Sequence, residues 1–310
     1  MARPLRIRAL KVPPSIILAR AAQDPRLVET FSEVSFESWP DAKAMRADIE
    51  TGAADLSIIP TNLAAVLYNG GTPIRMLCVN MWGILHVLSQ ASIDPTWPAL
   101  RGKTIGIPLK GNMPDTIFST LAGRVPLDLA SETNVVFLDS YLAAKDAVLS
   151  GACDVAVLPE PAASAAAAEG AHRMLDLQQE WAALTGRAAR FPQAGTVVPQ
   201  DLTDSETQLL LAVMEDALAW MAANPDDAGT LGAPLLGLDA TIIADSLRAT
   251  NWISLSGAAS RDDLEFFYGV LMEASPALVK GGLPGDGFYV ARSQVRLLKA
   301  RNSSDRRLCV

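Results

Sequence analysis

Five short segments of the chain carry polar side chains at the points where predicted strands end. Two of the segments contain a lysine, one contains a carboxylate, and the others offer amide and hydroxyl groups. Open α/β folds bind ligands at the carboxyl ends of their strands, where helix N-termini present free N–H groups. We therefore predict a binding site for a small polar or anionic ligand, although turns favour the same residue types. Its residues are Lys11, Pro13, Ser15, Thr61, Asn62, Asn80, Trp82, Lys110, Gly111, Asn112, Met113 and Glu160, with Trp39, Gln193 and Thr196 beside neighbouring predicted elements.

Motifs of nucleophilic or nucleotide chemistry are missing from the sequence. It has no Gly-x-Ser-x-Gly elbow, no P-loop and no Gly-x-Gly-x-x-Gly at a strand–helix junction. The apolar run around His86 predicts a packed core histidine, and His172 is predicted at the surface. The three cysteines have no metal-ligand spacing, and Cys78 and Cys153 fall in apolar runs typical of buried free thiols. We predict no catalytic residue, no metal and no cofactor.

Composition restricts the class of protein. The 310 residues suffice for two domains, and 50% hydrophobic with 19% charged residues predicts a globular chain. A net charge of −8 without a basic stripe argues against a nucleic-acid binder. The sequence has no apolar run of about 18 residues that would span a membrane. Residues 1–20 lack the apolar core of an export signal, so we expect a cytoplasmic protein if Met1 is the native start, and a periplasmic or cell-surface protein if a signal was removed. We expect a monomer.

The elements that must position the polar segments occur twice. Residues 51–60, TGAADLSIIP, are echoed 99 positions later by residues 150–159, SGACDVAVLP. Each copy follows a strand-like and a helix-like segment, at 33–37 and 41–50 and again at 134–138 and 140–149. A Gly stop followed by a short apolar run is typical of a buried parallel strand after a helix. The repeat predicts two similar α/β lobes with a ligand cleft between them.

The repeat also predicts where the chain changes lobes. We expect it to cross between residues 80 and 98 and to return between 184 and 196. Lobe one would comprise 1–80 plus 195–310, and lobe two would comprise 81–194. The helical patterns after residue 205 are expected to pack mainly on lobe one. The two repeated strands would then lie in different sheets.

Two lysines suggest the charge of the ligand. Lys11 and Lys110 follow strands of different predicted lobes, so closure of the cleft could bring both toward one ligand. Trp82 and Met113 could add an apolar wall. These residues favour a small anion that carries an organic group, and the alternative is that both lysines point into solvent.

Three segments resemble a known family. Residues 100–108, LRGKTIGIP, resemble the segment that opens the second lobe in solute-binding proteins of ABC transporters. Residues 52–59 and 151–161 resemble the two repeated strands of the NMT1/THI5-like group, the second ending in Glu-Pro. That group serves alkanesulfonates, taurine, nitrate, riboflavin and thiamine-precursor pyrimidines. The resemblance implies a two-lobed periplasmic-binding-protein-like fold of type II, a small-molecule ligand in the interlobe cleft, and an ABC permease as partner.

One alternative is an enzyme on the same fold. The cysteine-rich motif of the eukaryotic pyrimidine-synthesis enzymes of this group is absent, which counts against their chemistry. A cytosolic enzyme of the menaquinone-pathway type stays open at this point. Appearance of a product would favour the enzyme, and neighbouring genes for a permease and an ATPase would favour the binding protein.

Overall fold

The computed structural model of the protein describes residues 2–293. The first copy of the repeat lies among the first eight elements. Apolar residues alternate with partly exposed ones in the first strand, so one of its faces is buried. Helices and strands then alternate up to residue 81. Their bounds are β1 Leu5–Ala9, α1 Ser15–Ala21, α2 Pro25–Thr30, β2 Val34–Ser38, α3 Ala42–Glu50, β3 Ser57–Pro60, α4 Thr61–Asn69 and β4 Ile74–Met81.

The second repeat occupies the middle of the chain. Its helix and central strands repeat the pattern of the first copy. The helix N-cap is Asp41 in the first copy and Ser140 at the corresponding position of the second. The bounds are β5 Leu85–Ser89, β6 Thr104–Pro108, α5 Met113–Ala122, α6 Leu129–Glu132, β7 Asn134–Leu138, α7 Tyr141–Leu149, β8 Val155–Pro159, α8 Ala162–Ala168, β9 His172–Asp176 and α9 Leu177–Thr185.

The remaining elements are mainly helical. A capping box formed by Thr203 and Glu206 begins the longest of the helices described. The bounds are β10 Ala194–Pro199, α10 Asp204–Ala223, α11 Pro225–Leu236, α12 Ala240–Arg248, β11 Trp252–Ser256 and α13 Arg261–Ala274, with short 3₁₀ turns at Trp97–Leu100, Pro276–Val279 and Asp286–Phe288.

The strands form two groups with the same internal order. In the first, β1 pairs with β2 and is bridged to the start of β3 by Ile7 and Leu56, giving the order β2–β1–β3–β10–β4–β11. In the second the order is β7–β6–β8–β5–β9. In each group one strand that follows a chain crossing, β10 or β5, runs antiparallel to both its neighbours, and in the first group β11 also pairs antiparallel with β4. This shared order confirms the predicted α/β fold of type II.

The repeated strands β3 and β8 lie in different groups, and the chain passes between the groups after β4 and again after β9. The lobe limits themselves, 1–80 plus 195–310 and 81–194, remain predictions. The C-terminal helices do not all keep to the first group, because α12 packs on α8 and α13 packs on α5. Helix α12 also packs on α11, and α11 on α1, so the expectation that these helices pack mainly on lobe one stays a prediction.

The aspartate of each repeat holds the unit together. Asp55 Oδ2 accepts a hydrogen bond of 2.8 Å from the backbone N–H of Arg6, and Asp154 Oδ2 accepts one of 2.8 Å from Thr104. The backbone N–H groups of both aspartates donate in return to the carbonyl oxygens of the same two residues, at 2.9 Å. The repeated Gly-x-x-Asp segment thus ties the third strand of each unit to the first, and this role is structural.

Several elements differ from the sequence predictions. Ser15, a predicted site residue, is the first residue of α1, and Pro14 precedes it as the N-cap. Helices α2, α4, α6, α9 and α11 and strand β11 are not among the elements that the sequence predicts. Within residues 2–293, no single helix is long and apolar enough to cross a membrane, and only α11 with α12, bent by 120°, meet that criterion as a pair. Cys78 and Cys153 are buried free thiols, as predicted.

Candidate functional site

A cavity of about 300 Å³ lies where the strand ends of the two groups meet. The segments that follow β1, β3 and β8 reach it, as do the two chain crossings. A larger groove, of about 600 Å³, lies between α5 and α13, and among its lining residues only Gly111 comes from a predicted strand-end segment. The smaller cavity therefore has the position at which open α/β sheets bind their ligands.

Most of the cavity wall is apolar. Such a wall suits the hydrocarbon part of a small organic molecule, because burying apolar surface contributes about 25 cal/mol per Å². The apolar residues of the wall are Leu10, Val12, Pro13, Pro14, Ile58, Ile59, Pro60, Met81, Ile84, Pro159, Pro161, Ala194, Leu236 and Leu238.

Few polar residues interrupt this wall. They are Lys11, Tyr141, Glu160, Gln193 and Thr250. Among the described residues that line the cavity, Lys11 carries the positive charge and Glu160 the carboxylate. In residues 2–293, no group of three His, Cys, Asp or Glu side chains is placed to hold a metal ion.

Glu160 is already engaged by protein groups. It is 4% exposed, its Oε2 accepts a 3.0 Å hydrogen bond from the backbone N–H of Ser164, and its Oε1 accepts one from Arg173. Burial raises the pKa of the Glu160 carboxyl, and the Arg173 guanidinium opposes this shift. His86 Nε2 lies 3.7 Å from Glu160 Oε1. Burial, assisted by the charge of Arg173, lowers the pKa of His86 to about 4, so this imidazole is neutral near pH 7.

Gln193 has a fixed backbone and an unpaired side-chain oxygen. Its N–H donates to the carbonyl of Met81 at 2.9 Å, and its own carbonyl accepts from Thr61 N–H at 3.2 Å. The residue is 7% exposed, and its Oε1 has no hydrogen-bond partner among the described residues. The side chain lines the cavity directly before β10.

Four of the predicted site residues line the cavity, namely Lys11, Pro13, Glu160 and Gln193. Several others are buried beside it with their polar atoms paired inside the protein. Thr196 Oγ1 donates to Asn80 Oδ1 at 2.6 Å, and Trp82 Nε1 donates to the carbonyl of Ile253 at 2.8 Å. These residues are predicted to face the ligand, but they are buried and none of them lines the cavity.

The remaining predicted residues of the first strand group do not line the cavity either. Thr61 Oγ1 donates to the carbonyl of Pro192, and Trp39 Nε1 donates to Asp48 Oδ2 at 2.7 Å. Ser15 is 1% exposed and its hydroxyl has no partner, but it does not line the cavity, and neither does the half-buried Asn62.

The predicted segment of lobe two also lies apart from the cavity. Lys110 Nζ is 4.8 Å from the centre of the Phe137 ring, and Gly111 lines the groove between α5 and α13. Neither Asn112 nor Met113 reaches the cavity wall. Lys110 therefore does not line this cavity, and the idea that both lysines face one ligand stays a prediction.

Sequence reasoning missed part of the wall. Ile58, Ile59, Met81 and Ala194 are ordinary strand residues, and nothing local separates them from other buried positions. Leu236, Leu238 and Thr250 come from α11, α12 and their connections, more than 170 residues after β3. Tyr141 could have been found, because it follows the helix N-cap Ser140 at the edge where ligands bind.

No protein-family model matches the chain, and no curated protein matches its sequence. Many solved structures share its fold. An ABC transporter structure from Parabacteroides distasonis has a TM-score of 0.80 at 19% identity, covering 93% of this chain and 99% of the other. The periplasmic aliphatic sulphonate binding protein SsuA from Escherichia coli has 0.74 at 17%, covering 99% of both chains. The periplasmic nitrate-binding protein NrtA from Synechocystis PCC 6803 has 0.64 at 12%, covering 90% of this chain and 85% of the other.

At these identities the similarity concerns the fold, and it extends over nearly the whole chain. With the strand order and the position of the cavity, it leads to one conclusion: this protein has the two-lobed, type II fold of periplasmic binding proteins.

Proposed function

We propose that this protein is a solute-binding protein that captures a small organic ligand between its lobes for an ABC importer. The observation that carries this proposal is the largely apolar cavity of about 300 Å³, to which strand ends of both groups contribute. Among the proteins of similar fold, one from Staphylococcus aureus is described as the ligand binding component of an ABC-type import system, and two others as periplasmic binding proteins for an aliphatic sulphonate and for nitrate. The predicted partners are a small molecule and a permease.

The mechanism we propose is closure of the two lobes on the ligand. Three segments meet where the chain crosses between the two strand groups. Trp82 N–H donates to the Asn251 carbonyl at 2.9 Å, and Phe191 N–H donates to the Trp82 carbonyl at 3.2 Å. Opening requires small changes in these segments and leaves each sheet intact. A ligand that contacts both lobes binds the closed form more tightly and thereby increases its population.

The ligand we propose is an organic acid with an apolar body. The apolar wall accommodates the body, and Lys11, at the mouth beside the start of α1, supplies the positive charge. Glu160 does not oppose an anion strongly, because its carboxylate is paired with Arg173. Lys110 has no part in this proposal unless closure moves it away from Phe137.

The proposal also implies a place of action. The sulphonate and nitrate binders of similar fold are described as periplasmic. We propose that this protein acts outside the cytoplasmic membrane as a monomer, and cell fractionation with a tagged chain tests the first part. Recovery of the protein in the cytosol alone would contradict it.

A thermal-shift screen tests the function. Sulfonates, nitrate, aromatic carboxylates and pyrimidines are added to the purified protein, and inorganic sulfate controls for general salt effects. A ligand at about one hundred times its Kd should stabilise the folded protein by about 2.7 kcal/mol. Binding without turnover supports the proposal. A new product, detected by mass spectrometry, would instead favour the enzyme alternative.

A further inference from the structure

Gln193 is a buried polar side chain without a partner at the cavity. At 7% exposure its Oε1 has neither protein nor bulk water to replace the hydrogen bonds it makes when the chain is unfolded. An unsatisfied buried polar group of this kind destabilises the folded protein. Because Gln193 lines the cavity, a molecule bound there can supply the missing partner.

The surroundings hold this side chain in place for such a role. Its backbone is bonded on both sides, to Met81 and Thr61, and the next residue begins β10. Strands β3 and β4 pair with β10 on its two sides. The amide therefore extends from a rigid part of the floor, and its position is set before a ligand arrives.

The chemistry of the amide specifies what it can recognise. An amide offers one acceptor and two donors and carries no charge. A neutral donor, such as a hydroxyl, an amide N–H or a ring N–H, satisfies the unpaired oxygen. A purely hydrocarbon group at the same place leaves it unpaired.

Resting on the proposed function, we infer that Gln193 selects ligands that carry a neutral hydrogen-bonding group in addition to their apolar body. Sites built to hydrogen-bond a ligand group discriminate strongly against analogues that lack it. The cavity thus prefers polar-substituted organic ligands over their plain hydrocarbon counterparts.

The test uses pairs of probes that differ in one hydroxyl: benzenesulfonate and 4-hydroxybenzenesulfonate, benzoate and 4-hydroxybenzoate, and propanesulfonate and 3-hydroxypropanesulfonate. Calorimetry measures each Kd for the parent, for Gln193→Met and for the control Gln179→Met, whose glutamine is exposed on α9. In at least one pair the parent and the control should bind the hydroxylated member about tenfold more tightly. Gln193→Met should bind both members equally.

Thermal unfolding of the ligand-free variants separates recognition from a structural role. Because the buried oxygen is unpaired, Gln193→Met should leave Tm unchanged or raise it. A clear fall in Tm, or a hydroxyl preference that persists in the variant, overturns the inference. Gln193→Asn, which keeps the amide but shortens its reach, should also lose the preference and replaces the Met variant if that one does not fold. If the parent binds none of the six probes, both the inference and the proposed organic-acid ligand are wrong.

Discussion

The two repeats offer one motif in two environments, and this permits an internally controlled prediction. The side chain of Asp55 is fully buried, whereas that of Asp154 is 44% exposed. Both accept a hydrogen bond from a backbone N–H of the first strand of their unit. Asp55 also accepts hydrogen bonds from the side chains of Arg3 and Arg6, at 2.8 to 3.0 Å. Replacing each aspartate by alanine therefore removes the same backbone contact but unequal numbers of charged ones.

The expected effects differ in size. Asp154→Ala removes one hydrogen bond to a half-exposed carboxylate, which is worth about 1 kcal/mol. Asp55→Ala also leaves two guanidinium groups without their buried partner. Charged hydrogen bonds contribute about 1.5–3 kcal/mol each, but Arg3 and Arg6 are 27% and 36% exposed and regain water, so the sum must be discounted. We expect Asp55→Ala to lower the free energy of unfolding by about 3 kcal/mol.

Urea unfolding followed by circular dichroism measures both variants against the parent. The comparison is valid where the slope of the free energy against urea is unchanged. A double-mutant cycle with Arg6→Met isolates the contribution of the ion pair to stability. Arg6→Met should lower the free energy of unfolding clearly less in the Asp55→Ala background than in the parent. Equal destabilisation by Asp55→Ala and Asp154→Ala would refute the view that the first repeat depends on its buried ion pairs.

The remaining predictions concern the ligand, the chain crossing and pH. For a sulfonate or carboxylate that binds the parent, Lys11→Met should raise the Kd measured by calorimetry about tenfold or more and should reduce its salt dependence. Lys110→Met should leave the Kd within about twofold of the parent value. Equal losses of affinity would show that both lysines reach the ligand. Gly83 has φ of +122°, and an added Cβ would lie 2.3 Å from a neighbouring side chain, so Gly83→Ala should lower stability by about 2–4 kcal/mol in urea unfolding. Gly269→Ala, in open space on α13, is the control and should be neutral or stabilising. Burial lowers the pKa of His86 from 6.5 to about 4, so His86 binds a proton at a higher pH in the unfolded chain than in the folded protein. The free energy of unfolding therefore decreases as the pH falls from 6.5 toward 4. Between pH 6.5 and about 4.5 the parent should lose about 2 kcal/mol more than His86→Gln, and parallel pH profiles would contradict this burial effect.

The order of elements could be predicted from the sequence because its signals are local. A Gly stop, an apolar run and a proline identify β3 and β8 wherever they fold, and the repeat spacing fixes the same unit twice. The repetition also predicts the two crossings, but the order of the strands in the sheets was not predicted from it. The rule that open α/β sheets bind ligands at the carboxyl ends of their strands then located four of the residues that line the cavity.

The direction of each side chain was decided by tertiary structure. Asn80 stands at a strand end as predicted, but an irregular register between β4 and β10 lets it pair with Thr196 inside the wall. Lys110 occupies the position in the second repeat that Lys11 has in the first, yet only Lys110 has the Phe137 ring beneath its ammonium group. The cavity is completed by Leu238 and Thr250, from the connections before and after α12, far along the chain. Local patterns determine where a strand ends, whereas the facing elements determine which side chains at that end remain free for a ligand.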